Sequence, residues 1–298
     1  MTSLKPQGQD EAWSKLIAYG GNLPQSLLLL GPPGVGKQQA AIALFQFLHC
    51  NSPQKNDSCG FCGSCLKIAK GQHPDLFRIS AQGEQIVVDD FREFRTKIHF
   101  KPIEGKIRMV LINEAHRMNV TTANSLLKTL EEPPNHTRFV LITHEKSLLL
   151  PTVLSRCQFI QFTPLPDSIR RPILRKAVER QGLQITEEVE TLMLRLLGDG
   201  FERLDQLVSE EAISFLKSPS ADLDEDWKLE LFLDLQVIQN QKQALQELQQ
   251  SANQFLKSSD VVLHATSRAL EAARLRQRLS RYANKKLIAL NAAQLGST

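Results

Sequence analysis

Two groups of residues in this 298-residue chain have the types and spacing that chemistry requires. The first is Gly31-Pro32-Pro33-Gly34-Val35-Gly36-Lys37-Gln38. It follows the phosphate-loop pattern G-x-x-x-x-G-K-[ST], whose glycines let backbone N–H groups converge on an anion at a helix N-terminus while the lysine adds a charge. The final position departs from the pattern. Ser or Thr there places a hydroxyl on the magnesium ion that bridges nucleotide phosphates, whereas Gln38 brings a bulkier amide, differently placed. A second magnesium position is altered too. After the apolar run Arg108 to Ile112, where a phosphate-loop ATPase carries aspartate, stand Asn113 and Glu114. Gly31, Gly34, Gly36 and Lys37 therefore keep the anion cradle while the metal seat is damaged twice. The expectation is a fold that has given up hydrolysis, holds no magnesium and leaves ATP binding open. Glu114 has the chemistry to polarise a water, but the metal it must work with is poorly held, so it reads as a glutamate ending a buried strand.

The second group is Cys50, Cys59, Cys62 and Cys65, spaced C-x8-C-x2-C-x2-C. Four thiolates suit tetrahedral zinc with no open coordination position, which makes the expected ion structural. Clustering of four of the five cysteines in a chain without a signal-peptide-like start favours metal over disulfide, and Gly60 and Gly63 supply tight turns beside the thiols.

Positioning the first group requires a strand, a loop and a helix. Leu27 to Leu30 runs straight into the glycines, and Gln39 to Leu48 follows at helical spacing. Further strands are expected at Asp75 to Ile79, Arg108 to Ile112 and Phe139 to Thr143, between helices at Asp89 to Ile98 and Thr121 to Glu131. Alternation of this kind gives an α/β fold, a mostly parallel sheet covered on both faces. Pro133 stops the last of these helices, because proline disfavours helix in the residue before it. From Asp167 onward the periodicity is almost entirely helical, with a polar linker at Lys217 to Asp222. The division expected is 1–165 for the sheet domain, containing the cysteine module 50–65, then 166–217 as a small helical lid and 218–298 as a second helical domain.

Composition excludes other classes. With 42% hydrophobic and 23% charged residues the chain is globular, and no apolar run approaches the roughly 18 residues of a membrane span, so a cytoplasmic protein without membrane contact is expected. Basic residues at Arg92, Arg95 and Lys97, and again from Arg274 to Lys286, could face DNA, although such faces are usually only solvated. A stand-alone zinc-containing nucleic-acid-binding protein lacks its signature of aromatics among the basic residues, since only two Trp and two Tyr occur.

The phosphate loop, the cysteine module, His73-Pro74-Asp75, the string Ser125-Leu126-Leu127-Lys128-Thr129-Leu130-Glu131-Glu132-Pro133-Pro134, and Leu150-Pro151-Thr152-Val153-Leu154-Ser155-Arg156-Cys157 together resemble the bacterial DNA polymerase III clamp-loader subunits of the AAA+ class. The likeness covers about Gly8 to Arg203. The family's gamma/tau motor subunit carries a complete phosphate loop and an aspartate where this chain has Asn113, so the departures point to the delta-prime type, which keeps the fold without powering the machine. By resemblance, Arg156 is an arginine finger that reaches the ATP site of a neighbouring motor subunit. Thr143 matches a sensor position, and Arg203 lies where the lid carries a phosphate-sensing arginine. The implied partners are the gamma/tau and delta subunits, with the sliding clamp and primed DNA in the complex. Residues 218–298 are short for the family's oligomerising collar. The rival is an active gamma/tau-type motor in which the amide oxygens of Gln38 and Asn113 still hold magnesium.

Overall fold

The structure is a computed structural model that describes residues 4–98 and 100–217, together with Lys228, Leu231, Phe232, Asp234, Leu235 and Ile238. The second basic set, most of the linker and nearly all of the expected collar at 218–298 lie outside the described residues. The chain divides into one unit of residues 1–170 with Asp199–Glu202, and another of Arg171–Gly198 with Arg203 onward.

The first unit runs α1 (Asp10–Ala18), β1 (Ser26–Leu30), α2 (Lys37–His49), α3 (Gly63–Ala69), β2 (Leu76–Ile79), α4 (Arg92–Lys97), β3 (Arg108–Ile112), α5 (Val120–Glu131), β4 (Thr137–Thr143), α6 (Pro151–Leu154) and β5 (Gln158–Gln161). Every strand pair is parallel and the order is β2-β3-β4-β1-β5. Unbroken apolar runs suit this sheet because a strand buried on both faces must be apolar at every position.

The period of two then sorts each run into two cores. Leu27, Leu29, Met109, Leu111, Val140 and Ile142 pack with Trp13, Leu16, Leu44 and Phe45 of α1 and α2. Leu28, Val110, Ile112, Phe139 and Leu141 face the other way, onto Phe91, Phe94, Leu126 and Leu130. A one-residue slip would exchange the two sets, so register is firmly fixed.

The four expected strands form as β1 to β4. β5 is an addition that the apolar pattern did not signal: it is an edge strand paired only with β1, and three of its four residues are exposed. An edge strand half open to water needs no continuous apolar run.

Two buried polar residues fix loops around the sheet. Asp75 is fully buried, and its carboxylate accepts the backbone N–H groups of Ile103 (2.7 Å), Glu104 (2.8 Å) and Gly105 (3.1 Å). Arg108, 2% exposed, donates from Nη1 to the carbonyls of Lys97 (2.7 Å) and Phe100 (3.1 Å), closing the end of α4. Buried charges bonded to several backbone groups hold irregular backbone in one conformation.

In the second unit α7 (Asp167–Arg180), which begins in the first, is followed by α8 (Glu187–Leu197), α9 (Leu204–Leu207) and α10 (Glu210–Lys217). Thr186 caps α8 by accepting from the Val189 N–H. The buried Glu190 carboxylate takes both arms of Arg175, at 2.8 and 2.9 Å. No strand occurs in this unit among the described residues.

Candidate nucleotide pocket and cysteine cluster

Because the strands run in parallel, their carboxyl ends meet at one edge, and the loops leaving β1, β2, β3 and β4 enclose a cavity of about 510 Å³. Pro33, Gly34, Gly36, Lys37 and Gln38 come from the first loop, Ser80 from the second, Asn113 and Glu114 from the third, and Thr143 and His144 from the fourth; Glu202 also lines it. The carboxyl edge of a parallel sheet is where ligands of such folds bind. The structure therefore brings Gln38 and Asn113, the two positions singled out in the sequence, to one cavity with Lys37.

Lys37 opens α2 and is 6% exposed. Its Nζ donates back to its own loop, to the Gly31 carbonyl at 2.7 Å and to that of Pro32. Burial pulls the ammonium down to about 8, partly offset by the Glu202 carboxylate. Gly34 has φ 69° and its carbonyl accepts the Phe201 N–H at 2.9 Å; a Cβ there would lie 2.3 Å from that nitrogen, so only glycine fits.

Glu114 adopts the left-handed conformation, φ 47°, at the head of a short turn, Ala115–Arg117. Its Oε2 accepts from Arg117 Nη1 at 2.8 Å, and Arg117 is itself tied to the carbonyls of Glu84 and Gly83. The carboxylate is thus already paired with a cation. Thr143, 1% exposed, accepts the Glu145 N–H at 3.0 Å, and its Oγ1 lies 3.0 Å from His116 Nδ1. Burial lowers the pKa of His116, and His144, whose ring centroid is 4.4 Å away, lowers it further. His116, His144, Ser80 and Glu202 carry no motif. Ser80 and His144 join the lining because the topology brings strand ends together, His116 reaches it through Thr143, and Glu202 is placed by the Phe201 N–H bond to the Gly34 carbonyl.

Arg203 belongs to the second unit, where its Nε donates to Gln206 at 3.1 Å and its Nη1 pairs with Asp234. Arg156 follows the short helix α6. Its Nη1 donates to the Thr152 carbonyl (2.8 Å) and approaches Ser155 Oγ (3.3 Å), and its Nη2 pairs with Glu131.

The four cysteines converge, with their Sγ atoms all within 4.8 Å of one another. Cys50 terminates α2, Cys62 caps α3, Cys65 sits in the first turn of α3, and Cys59 comes from the intervening loop. Cys59 and Cys65 sulfurs are 3.9 Å apart. A tetrahedral centre with Zn–S of about 2.3 Å spaces its sulfurs about 3.8 Å apart, so the donor set and its spacing fit zinc. Backbone N–H groups of Cys59 and Cys62 point at the sulfurs of Cys50 (3.2 Å) and Cys59 (3.4 Å), favouring thiolate. Burial pushes the Cys65 thiol up; at Cys62 burial acts the same way, but N–H donors from Asn51 and Cys65 outweigh it and bring the thiol to about 6. All five cysteines are free of disulfides. The buried Gln46 anchors the module by donating to the Cys65 carbonyl (2.9 Å) and accepting from Ser58 (2.7 Å), while Trp13 Nε1 donates to the Asn56 carbonyl (3.1 Å).

Strand order, glycine loop and cavity together define a P-loop protein of the AAA+ class. The chain belongs to the family described as DNA polymerase III, delta subunit, whose sequence model matches residues 8–166, and it is a clamp-loader AAA+ subunit by that membership. It is 34% identical over 233 residues to DNA polymerase III subunit delta' of Pseudomonas aeruginosa, a match covering 74% of this chain and 70% of that one. It is 32% identical over 195 residues to the gamma/tau subunit of Mycobacterium tuberculosis, covering 63% of this chain and 34% of the other, so it spans about a third of those relatives. Among solved structures, a gamma subunit-related protein of Thermotoga maritima shares the fold, with a TM-score of 0.52 at 17% identity over 96% of this chain and 97% of that one.

Two predictions arise from this geometry. Lys37 titrates at about 8 when folded against an ordinary value of 10.5, so in that pH window the unfolded chain holds a proton that the folded chain has shed. The desolvated cation is a cost at pH 7 that fades as pH rises. Lys37→Met is expected to raise the urea midpoint at pH 7, with the gain shrinking by pH 10; a gain that grows with pH would contradict the desolvation account. For the cluster, metal analysis should find one zinc per chain, lost in Cys62→Ser. Chelation should open residues 50–65 to protease while far-UV circular dichroism is largely kept, because the sheet has its own core.

Proposed function

We propose that this chain is a delta-prime-type subunit of a DNA polymerase III clamp loader. It hydrolyses no nucleotide itself and supplies Arg156 in trans to the ATP site of a gamma/tau-type neighbour. The supporting observation is the cavity in which an intact Lys37 shares the lining with Gln38 and Asn113, where magnesium needs a hydroxyl and a carboxylate. Relatives of both names match this chain, and Gln38 and Asn113 at the metal seat favour the delta-prime reading. Gly31, Gly34, Gly36, Lys37, Gln38, Asn113, Glu114, Thr143 and Arg203 are then the remains of a nucleotide site, and Glu114, held by Arg117, activates no water.

Arg156 has the right chemistry for its role. An arginine delivered from an adjacent chain stabilises the charge of a transferring phosphoryl group and is worth about three to five orders of magnitude in rate. In this reading the partners are the gamma/tau and delta subunits, which together with this chain place the sliding clamp on primed DNA. Residues 1–165, 166–217 and 218–298 act as sheet domain, lid and collar, the work is cytoplasmic, and the four cysteines hold a structural zinc. Among the described residues no helix is long and apolar enough to cross a membrane.

Purified alone with magnesium and ATP, the chain is expected to show only background phosphate release; steady magnesium-dependent turnover would move it to the motor class. The substitutions Gln38→Thr and Asn113→Asp together should raise nucleotide affinity if the seat is now deficient and change an existing motor only modestly. In the reconstituted loader, Arg156→Ala should leave assembly intact and slow DNA-stimulated hydrolysis at the site it completes by about three orders of magnitude. Unchanged turnover in that complex would remove the finger assignment.

A further inference from the structure

Two motifs of the chain, Ser125 to Pro134 and Leu150 to Cys157, meet in the fold, where Leu126, Leu130, Val153 and Cys157 share one core and Arg156 Nη2 pairs with Glu131. Glu131 is the last residue of α5 and Glu132 its C-cap. Acidic side chains at a helix C-terminus face the negative end of the helix dipole, an unfavourable place for a carboxylate. Local helix chemistry therefore gives no reason for glutamate at 131.

Stability gives little more. The side chains of Arg156 and Glu131 are 33% and 47% exposed, and pairs so open to water contribute about 0 to 1 kcal/mol. What the pair does is fix a direction. Leu130, beside Glu131, and Val153, beside the start of the Arg156 turn, are buried in the same core, so neither backbone is free to drift. Pro133 and Pro134 stiffen the chain just beyond Glu131. The guanidinium is then held by three groups: the Thr152 carbonyl, Ser155 Oγ and the Glu131 carboxylate. These take three of the N–H donors that a guanidinium carries, and a pair remains for two oxygens of one phosphoryl group.

We propose that Glu131 is the positioning residue of the arginine finger: it orients the Arg156 guanidinium before the neighbouring subunit arrives, leaving two N–H donors free for the phosphate. This rests on the reading of Arg156 as a finger acting in trans. An unrestrained arginine would have to lose its rotamer freedom at the moment of reaction, and misplacement of a catalytic group by about 1 Å can cost a hundredfold in rate.

The test uses the loader reconstituted from this chain and its gamma/tau and delta partners, with primed DNA and clamp. Glu131→Gln is expected to lower kcat for ATP hydrolysis at the completed site by about tenfold while the ATP KM stays within about twofold, as loss of a transition-state orientation requires. Thermal unfolding of the isolated variant should match wild type, and Glu131→Ala should behave as Glu131→Gln does. Because Glu131 acts only through Arg156, the double variant Glu131→Gln with Arg156→Ala should be no slower than Arg156→Ala alone. Additive losses would overturn the proposal, as would a faster Glu131→Gln, which would make the carboxylate a restraint. Normal kcat in Glu131→Gln beside a slow Arg156→Ala would overturn it while leaving the finger standing. A normal Arg156→Ala would bring down both.

Discussion

The pairing of β1 on both edges and its burial on both faces is the constraint on which the other features depend. A central parallel strand can neither slide nor turn, so the loop at its carboxyl end has one exit and Lys37 one place to stand. The ends of β3 and β4 are set beside it by the same ladder, which is why Asn113 and Thr143 share a cavity with a lysine far away in sequence. The leucines that make β1 dull as chemistry are what make its loop accurate.

Where a phosphate-loop ATPase has a hydroxyl and an aspartate, the cavity has Gln38 and Asn113, the lysine is drawn onto its own loop carbonyls, and carboxylates of Glu114 and Glu202 stand at the lining. A cradle in this state retains its shape because shape comes from glycine conformation and sheet register, which do not depend on the ligand. The shape of the loop therefore makes no demand on the residues that would hold a metal, and fold and chemistry are separable.

How much could be read from residues alone depended on how local the signal was. The four cysteines lie within sixteen positions, and their convergence was legible from spacing. β1, β3 and β4 announced themselves because burial on both faces makes the middle of each strand a continuous apolar run, with polar residues only towards the ends. β5 did not, since an edge strand with exposed Gln158, Phe159 and Gln161 has no run to show. Ser80, His144 and Glu202 were invisible as site residues, each an ordinary loop residue until strand order gathers the first two and the Phe201–Gly34 backbone bond brings in the third. The partner of Arg156 was hidden for the same reason, although a glutamate at the unfavourable end of α5 was a local anomaly that a charge-by-position reading of helices would have caught.

Helix α2 has Lys37 as its first residue and gives way to Cys50 at its far end. Its 13 residues make a rod about 20 Å long, pinned along its length by Ala40, Leu44 and Phe45 in the core. The cysteine cluster and the phosphate cradle are thus two marks on one ruler. Cobalt(II), which tolerates the same four sulfurs, would put a paramagnetic beacon at one mark, and nuclear relaxation at the other would then report any shift of the cradle as a change in distance from a fixed origin.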